Sequence, residues 1–388
     1  MVIFFWTSLF LIFYTFIGYG LLLYCIIRLK RAFAPRPVFP RHYEALPTVT
    51  VVVAAYNEQD IIEKKIINTL SLSYPVDKIE YLFITDGSTD NTADIVGRYK
   101  NVRLMHSAAR LGKVNAMHRA MQTINSSVVI FTDANTFLNK EALLLIGVHY
   151  ADPSVGAVAG EKRVQVLESS DATAGEGFYW KYESKLKQWD YELFSVVGAA
   201  GELFSIRTSL YVPVATDTIL DDFMISLKIA ARGFRIAYEP LASATETGSE
   251  NTKEELKRKI RIAAGGIQSI LRLKELLNPF RHPLLTFQYI SHRVLRWTIT
   301  PFLMILVLAV NMFLCYRGAS IIYVMILAGQ CFFYLLAFGG WLVARMQLKM
   351  KLLFIPFYFC MMNYAVISGI GRYIRGGQDV AWEKARRK

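Results

Sequence analysis

Cysteine is scarce and poorly placed for structural duty. Its four copies, Cys25, Cys315, Cys331 and Cys360, all lie in apolar stretches, with none between positions 26 and 314. No CxxC spacing occurs and no histidine partners them. A zinc site or disulfide frame is therefore excluded, and the four read as small buried hydrophobes. A core without cysteine suits a reducing compartment. Charge is missing at the N-terminus, where no charged side chain precedes Arg28. A cleaved signal peptide starts basic and has a shorter core. Residues 1–27 instead match a tilted membrane helix, for which about 20 apolar residues suffice. Neither GxGxxG nor GxxxxGK[ST] is present, which excludes a dinucleotide fold and a P-loop. Acidic residues number 31 against 44 basic ones, for a net charge of +13. The basic residues form no single stripe and carry no groove-reading motif, so nucleic acid is not the expected partner.

What is present is strongly apolar: 54% of the chain is hydrophobic, concentrated at the two ends. Basic residues flank those ends (Arg28, Lys30, Arg31, Arg36 and Arg41, then Arg345, Lys349 and Lys351). Positive charge beside an apolar segment holds a loop on the cytoplasmic side. The expected organisation is a transmembrane helix at 1–27, a basic and proline-rich linker at 28–47 and a cytosolic domain at 48–275. An interfacial segment at 276–297, membrane segments within 298–374 and a basic tail at 375–388 follow. The apolar stretches 298–316 and 319–344 form a natural hairpin around Arg317. The stretch 352–371 contains Pro356, Gly369 and Gly371, and reads either as a span or as a broken, re-entrant segment. A span would put the basic tail outside, against the positive-inside tendency.

Between 48 and 159 the pattern alternates strand and helix. Residues 49–54 are a β-branched run, as in a parallel strand buried on both faces. Helical periodicity follows over 58–72, then strand 79–84, helix 92–99, strand 102–105, helix 113–123, strand 128–132, helix 140–150 and strand 155–159. This order predicts a doubly wound α/β sheet with its ligand at the carboxyl ends of the strands. Residues 175–194 carry aromatics and lysines at helical spacing. Two readings stay open there: an amphipathic helix on the core, or one lying against the bilayer.

Three acidic sites fall at predicted strand or helix ends: Asp86, Asp133 and the pair Asp221-Asp222. A single aspartate there is commonly a turn residue or cap, as Asp90 is expected to be. Three in this order, after Ala55-Tyr56-Asn57-Glu58, point to chemistry. The 55–58 turn offers amides and polar side chains to a nucleotide, and Lys113 opens a helix where it can neutralise a diphosphate.

These residues resemble the family-2 glycosyltransferases, which have a GT-A fold. The likeness runs over about 46–275. It includes "AYNE" at 55–58, "TDGSTD" at 85–90, Gly112-Lys113 with Asn115 and "DAN" at 133–135. "GELFSIR" at 201–207, "LDDF" at 220–223, "RGFRIAYEP" at 232–240 and "RKIRIAAGG" at 258–266 complete it. The flanking membrane segments are similar to those of the branch that builds poly-N-acetylglucosamine, hyaluronan and cellulose. The resemblance implies a GT-A-type, mainly parallel mixed sheet and a UDP-sugar donor. Asp86, Asn57 and Glu58 would hold the base, and Asp133 with Asn135 would ligate Mg²⁺ or Mn²⁺. Lys113 would meet the diphosphate, Gly201 the sugar, and Asp222 would be the general base of an inverting transfer. Asp221, Arg258 and Arg261 would contact acceptor or diphosphate. A glycan or lipid-linked acceptor, membrane lipids and an accessory synthase subunit are the implied partners.

The sequence departs from the family pattern at four motifs, one of them the Thr-Glu-Asp of processive synthases, which reads Leu220-Asp221-Asp222 here and keeps the final base. The second metal ligand is the neutral Asn135, and Thr85 stands where an aspartate is common. The QxxRW signature of processive synthases is replaced by Arg258-Lys259-Ile260-Arg261-Ile262, which lacks the indole. The expectation is therefore a limited number of transfers, with long-chain synthesis or a catalytically silent scaffold as alternatives.

Overall fold

The structure is a computed structural model that describes residues 1–33, 45–165, 172–248, 251–346 and 350–376. Most of the predicted linker and nearly all of the basic tail lie outside the described residues. At the centre is an eight-stranded sheet in the order β3-β2-β1-β4-β7-β6-β8-β5. The strands are β1 (Val49–Ala55), β2 (Ile79–Asp86), β3 (Arg103–Ser107), β4 (Val128–Asp133), β5 (Phe137–Leu138), β6 (Val155–Gln165), β7 (Leu203–Arg207) and β8 (Arg235–Thr247). Four neighbouring pairs are parallel and three antiparallel, as a mainly parallel mixed sheet requires.

Every residue of β1 is buried, because its Val-rich run packs against helices on both faces. Register then aligns the strand ends. Ala55 lies opposite Thr85, Ala54 opposite Asp133, and Asp86 opposite Ser107. Antiparallel β7 pairs Leu203 with Thr132, which brings residues 201–202 beside the end of β4. The carboxyl ends of β1, β2 and β4 thus form one edge.

The helices of the domain are α3 (Ile62–Leu70), α4 (Thr92–Gly97), α5 (Lys113–Met121), α6 (Ala142–Gly147), α7 (Ala172–Leu193), α8 (Asp221–Ala231) and α9 (Thr252–Arg272), after α1 (Val2–Phe13) and α2 (Tyr19–Phe33). Periodicity suggested that α3 starts at 58, but it starts at Ile62. Asn57 adopts φ +51, a left-handed conformation that asparagine tolerates, and the Glu58 N–H is taken by Thr92 Oγ1 at 2.8 Å. The chain is bound to the neighbouring loop before it can become helical.

Beyond the domain run α10 (Pro283–Tyr289), α11 (Leu295–Trp297), α12 (Thr300–Tyr316), α13 (Ile321–Arg345) and α14 (Lys351–Ile374). Among the described residues, three stretches are each long and apolar enough to cross a membrane: Val2–Phe33, Ile321–Arg345 and Leu352–Ile374. The last is one continuous helix, although Pro356 lies inside it and removes one i→i−4 hydrogen bond. The bend falls elsewhere. Pro283–Trp297 and Thr300–Tyr316 meet at 59°, at Thr298 with φ −124 and ψ −92. Cys25 and Cys331 lie on the exposed faces of their helices rather than inside, because a helix apolar all round has an outer surface too.

The helix α7 is packed on both sides, against β8 and against α2. Between α1 and α2 lies a π-helical turn, Tyr14–Gly18, and the Phe16 carbonyl in it accepts the Tyr182 hydroxyl at 2.8 Å. Gly20 is required there, since a Cβ would sit 2.7 Å from that hydroxyl. Lys30 donates to the Glu192 carbonyl at 2.7 Å, at the negative end of α7, and Arg31 pairs with the Glu192 carboxylate at 2.6 Å. Deeper in the joint, His292 contacts Asp190 at 2.5 Å and Glu183 at 3.1 Å. The Tyr19 hydroxyl donates to Asp190 at 2.5 Å, while Arg293 and Arg296 pair with Glu183 at 2.6 and 3.2 Å. Against the cost of burial, Arg293, His292 and Arg296 hold the Glu183 carboxyl well below its ordinary range.

Removing the imidazole leaves two buried carboxylates under-compensated. We expect His292→Leu to cost about 3–5 kcal/mol, read as a lowered unfolding midpoint of the detergent-solubilised chain. An unchanged midpoint would mean that the joint does not rest on these pairs.

Candidate active site

The strand-end edge carries two linked clusters. In the first, Asp86 accepts the backbone N–H groups of Leu111 and Gly112 on one oxygen, at 2.9 and 2.6 Å. Its other oxygen lies 3.5 Å from the Arg119 guanidinium. Asp86 therefore pins the loop that opens α5. That loop passes so close that a Cβ at Gly87, whose φ is +68, would come 2.5 Å from Arg110 Cβ, so only glycine fits. The Arg110 guanidinium lies over the Tyr56 ring, 4.0 Å from its centroid. Tyr56, Asp86, Arg110, Gly112 and Lys113 line a pocket floored by Ala54, Ile84 and Ala116. Asn57 and Glu58 stand beside it. Asn57 bonds the Thr89 N–H at 2.8 Å and the Thr89 hydroxyl, which locks the 55–58 turn onto the 86–90 loop. Asp90 accepts from the Thr92 N–H at 3.0 Å, one residue before Asn91, which rather than Asp90 holds the N-cap position of α4.

In the second cluster, Lys113 sits at the first position of α5 with its ammonium among three carboxylates. It is 2.9 Å from Asp133 and 3.5 Å from Asp221, with Asp222 close enough to act on its charge. Burial works to lower its pKa, but Asp133, Asp221 and Asp222 overcome that and hold it above its ordinary value. Asp222 is moved the other way. Burial first, then the neighbouring Asp221 charge, push it up to about 7, against the pull of Lys113. A Cβ at Gly201 would come 3.2 Å from Asp222 Oδ2 and 3.6 Å from Lys113 Nζ. The backbone at Gly201 thus forms the wall opposite the carboxylate.

Asp133 and Asn135, at the end of β4, offer hard oxygen donors on one turn. Among the described residues no group of three or more His, Cys, Asp or Glu could hold a metal ion. A cation of the Mg²⁺ type needs only one or two protein carboxylates when substrate phosphates and water complete its shell. The donor set therefore fits such an ion shared with a phosphorylated ligand. Behind the turn, Lys65 is fully buried and donates to the Thr136 carbonyl at 2.7 Å and to Thr132 Oγ1 at 3.1 Å. Burial pushes its ammonium down to about 7, against the attraction of Asp133.

Arg258 and Arg261 lie apart from these clusters, on α9. Arg258 is 3.3 Å from both Glu202 and Glu246, which also pair with Lys162. Despite burial, Lys162 and Arg258 hold the Glu202 carboxyl below its ordinary value against the Glu246 charge. This network joins α9 to residue 202 and hence to the Gly201 wall. Arg261 is half-buried, one turn further along α9. Against α9 packs Trp297, so closely that a Cβ at Gly266 would come 2.5 Å from its ring. The same ring lies 5.3 Å from Phe223, the residue after Asp222.

Sequence reading missed Lys65, Arg110, Arg119, Glu202 and Lys162. Glu202 stood in view within "GELF" beside Gly201. Lys65 carried no signal, since a lysine on an amphipathic helix normally faces water.

Residues 50–211 match the profile of Glycosyl transferase family 2. The chain is 30% identical over 236 residues to a poly-beta-1,6-N-acetyl-D-glucosamine synthase of Staphylococcus aureus strain MSSA476, covering 59% of this chain and 57% of that protein. It is 26% identical over 238 residues to the synthase of that name from Staphylococcus epidermidis. The match therefore spans little more than half the length of these curated relatives. Among solved structures, it is similar to the mannosyltransferase PcManGT from Pyrobaculum calidifontis, which was solved in complex with GDP-Man and Mn²⁺. The TM-score is 0.69 at 23% identity, over 96% of this chain and 99% of that one. This likeness shows the GT-A-like fold.

Proposed function

Since residues 50–211 make this chain a family-2 glycosyltransferase, we propose that it is membrane-bound and inverting. In this reading it moves a sugar from a UDP-sugar to a hydroxyl of a lipid-linked or growing glycan in cell-surface polysaccharide biosynthesis. The observation that carries the reading is Asp222: a carboxyl pushed up to about 7, facing Gly201 and next to a lysine shared with Asp133. A base whose pKa lies near the working pH balances ionisation against proton affinity.

Asp222 takes the proton of the acceptor hydroxyl as that oxygen bonds to the anomeric carbon. The bond from that carbon to the diphosphate oxygen breaks on the opposite face, and UDP leaves with the electron pair. One displacement inverts the centre and needs no covalent sugar–enzyme intermediate. Lys113 supplies positive charge to the departing diphosphate. Asp133 and Asn135 would hold Mg²⁺ or Mn²⁺, which when bound neutralises charge on the leaving group. The pocket at Tyr56, Asp86 and Arg110 receives the base, with Asn57 and Glu58 fixing its rim. Asp221, Arg258 and Arg261 bear on acceptor or diphosphate, Arg258 through Glu202 beside Gly201. Lys30 and Arg31, docked on α7, support a cytosolic catalytic domain. Processive synthesis is the second reading, favoured by the synthases named among the relatives.

The sign of the pH dependence follows from Asp222. Protonated below about 7, it cannot accept the hydroxyl proton, so the rate rises with pH through that value. One unit below, about a tenth of wild-type molecules are competent. Asp222→Asn is expected to lower transfer by at least about a hundredfold and to abolish this limb. Membranes carrying the chain, incubated with radiolabelled UDP-sugars and Mn²⁺, are expected to give labelled lipid or short glycan when the product is sized. A ladder of long polymer would overturn limited transfer. No transfer from any UDP-sugar, with Asp222→Asn indistinguishable from wild type, would leave a silent scaffold instead.

A further inference from the structure

Lys65 is a charge with no exposed surface whose hydrogen-bond partners are neutral, the Thr136 carbonyl and the Thr132 hydroxyl. Burying an ammonium against neutral partners is costly, and an apolar side chain of similar length would fill the same space. What the ammonium adds is geometry. Thr132 Oγ1 donates onward to the Glu202 carbonyl at 2.9 Å and contacts Thr136 Oγ1 at 2.9 Å. Thr136 Oγ1 donates to the Asp133 carbonyl at 3.0 Å. A single buried knot thus ties α3, both sides of the 133–136 turn, and residue 202. These are the segments that follow the base-side loop, carry Asp133 and Asn135, and form the wall opposite Asp222.

We propose that Lys65 is a positioning residue: it holds the 133–136 turn in register with residues 201–202, so that Asp133 and Asn135 face a cation-bound diphosphate. The inference rests on the donor-site reading above and extends it. Lys65 touches neither sugar nor phosphate. It acts through Thr132 and Thr136, as groups behind metal ligands generally do.

The test is calorimetric titration of UDP into the full-length, detergent-solubilised chain, with and without MnCl₂. Wild type is expected to bind UDP more tightly with Mn²⁺, and Asp133→Asn to lose that gain. Lys65→Met and the near-isosteric Thr136→Val are each expected to keep metal-free UDP affinity within about twofold while losing about tenfold of the Mn²⁺-dependent gain. General loosening of the fold would instead weaken UDP binding with and without the metal alike, and that result overturns the proposal. So does a folded variant that retains the full Mn²⁺ gain. If Lys65→Met does not fold, Thr136→Val decides by the same criteria. A wild type without any gain, or an Asp133→Asn that keeps it, defeats the donor-site reading itself. A wild-type gain preserved in the Lys65 and Thr136 variants defeats only the role given to Lys65.

Discussion

One ammonium group, that of Lys113, lies among the carboxylates of Asp133, Asp221 and Asp222. Three acids gathered at a strand-end edge would repel one another, and each would be pushed toward its neutral form. Lys113 makes the gathering tolerable. Its place is set by the backbone: Gly112 at φ +93 turns the chain into α5, and Asp86 fixes the turn through the Leu111 and Gly112 amides. Asp86 therefore shapes the Lys113 cluster as well as the pocket beside Tyr56 and Arg110. Parallel pairing of β1 with β2 and β4 brings Asp86 and Asp133 to the same edge of the sheet, Asp133 level with Ile84 and Asp86 two residues beyond, and antiparallel β7 adds the Gly201 wall.

The second dependency runs toward the membrane. The helix α9, whose Arg258 reaches Glu202, is also the helix on which α14 packs. A Cβ at Gly369 would come 2.6 Å from Ala263 Cβ and 2.9 Å from the Ile260 carbonyl. Gly265 and Gly266 similarly admit Ile219, Leu220 and Trp297. Helices close enough for glycine contacts transmit small displacements directly, because packed cores deform little. On the other side, α7 and the Glu183–His292–Asp190 cluster bind the first apolar helix to the domain. The catalytic edge is thus held between membrane helices at two points.

The acidic centres were legible from sequence because strand-end aspartates follow recognisable β-branched runs, and their order with the 55–58 turn singled them out. The parallel half of the sheet was legible for the same reason. The antiparallel half was less so: β7 lies within "GELFSIR", where burial of four consecutive residues gives little periodicity, and the two-residue β5 exists only through pairing with β8. Interactions that required three dimensions stayed hidden. Lys65 looked like a solvated helix residue, and the ions of α7 looked like the polar face of an amphipathic helix, on the core or against the bilayer. Trp297, 35 residues after the Ile262 position where an indole was sought, meets α9 only in the folded chain.

The central claim is that Lys113 sets the charge state of the base while serving the leaving group. The pH dependence of transfer by Lys113→Met tests it most directly. Without the ammonium, the Asp221 charge acts on Asp222 unopposed. The rate is predicted to fall about a hundredfold, and its acid limb to move to higher pH than that of the wild type. A Lys113→Met chain that transfers at the wild-type rate, or whose acid limb stays in place, would contradict the account.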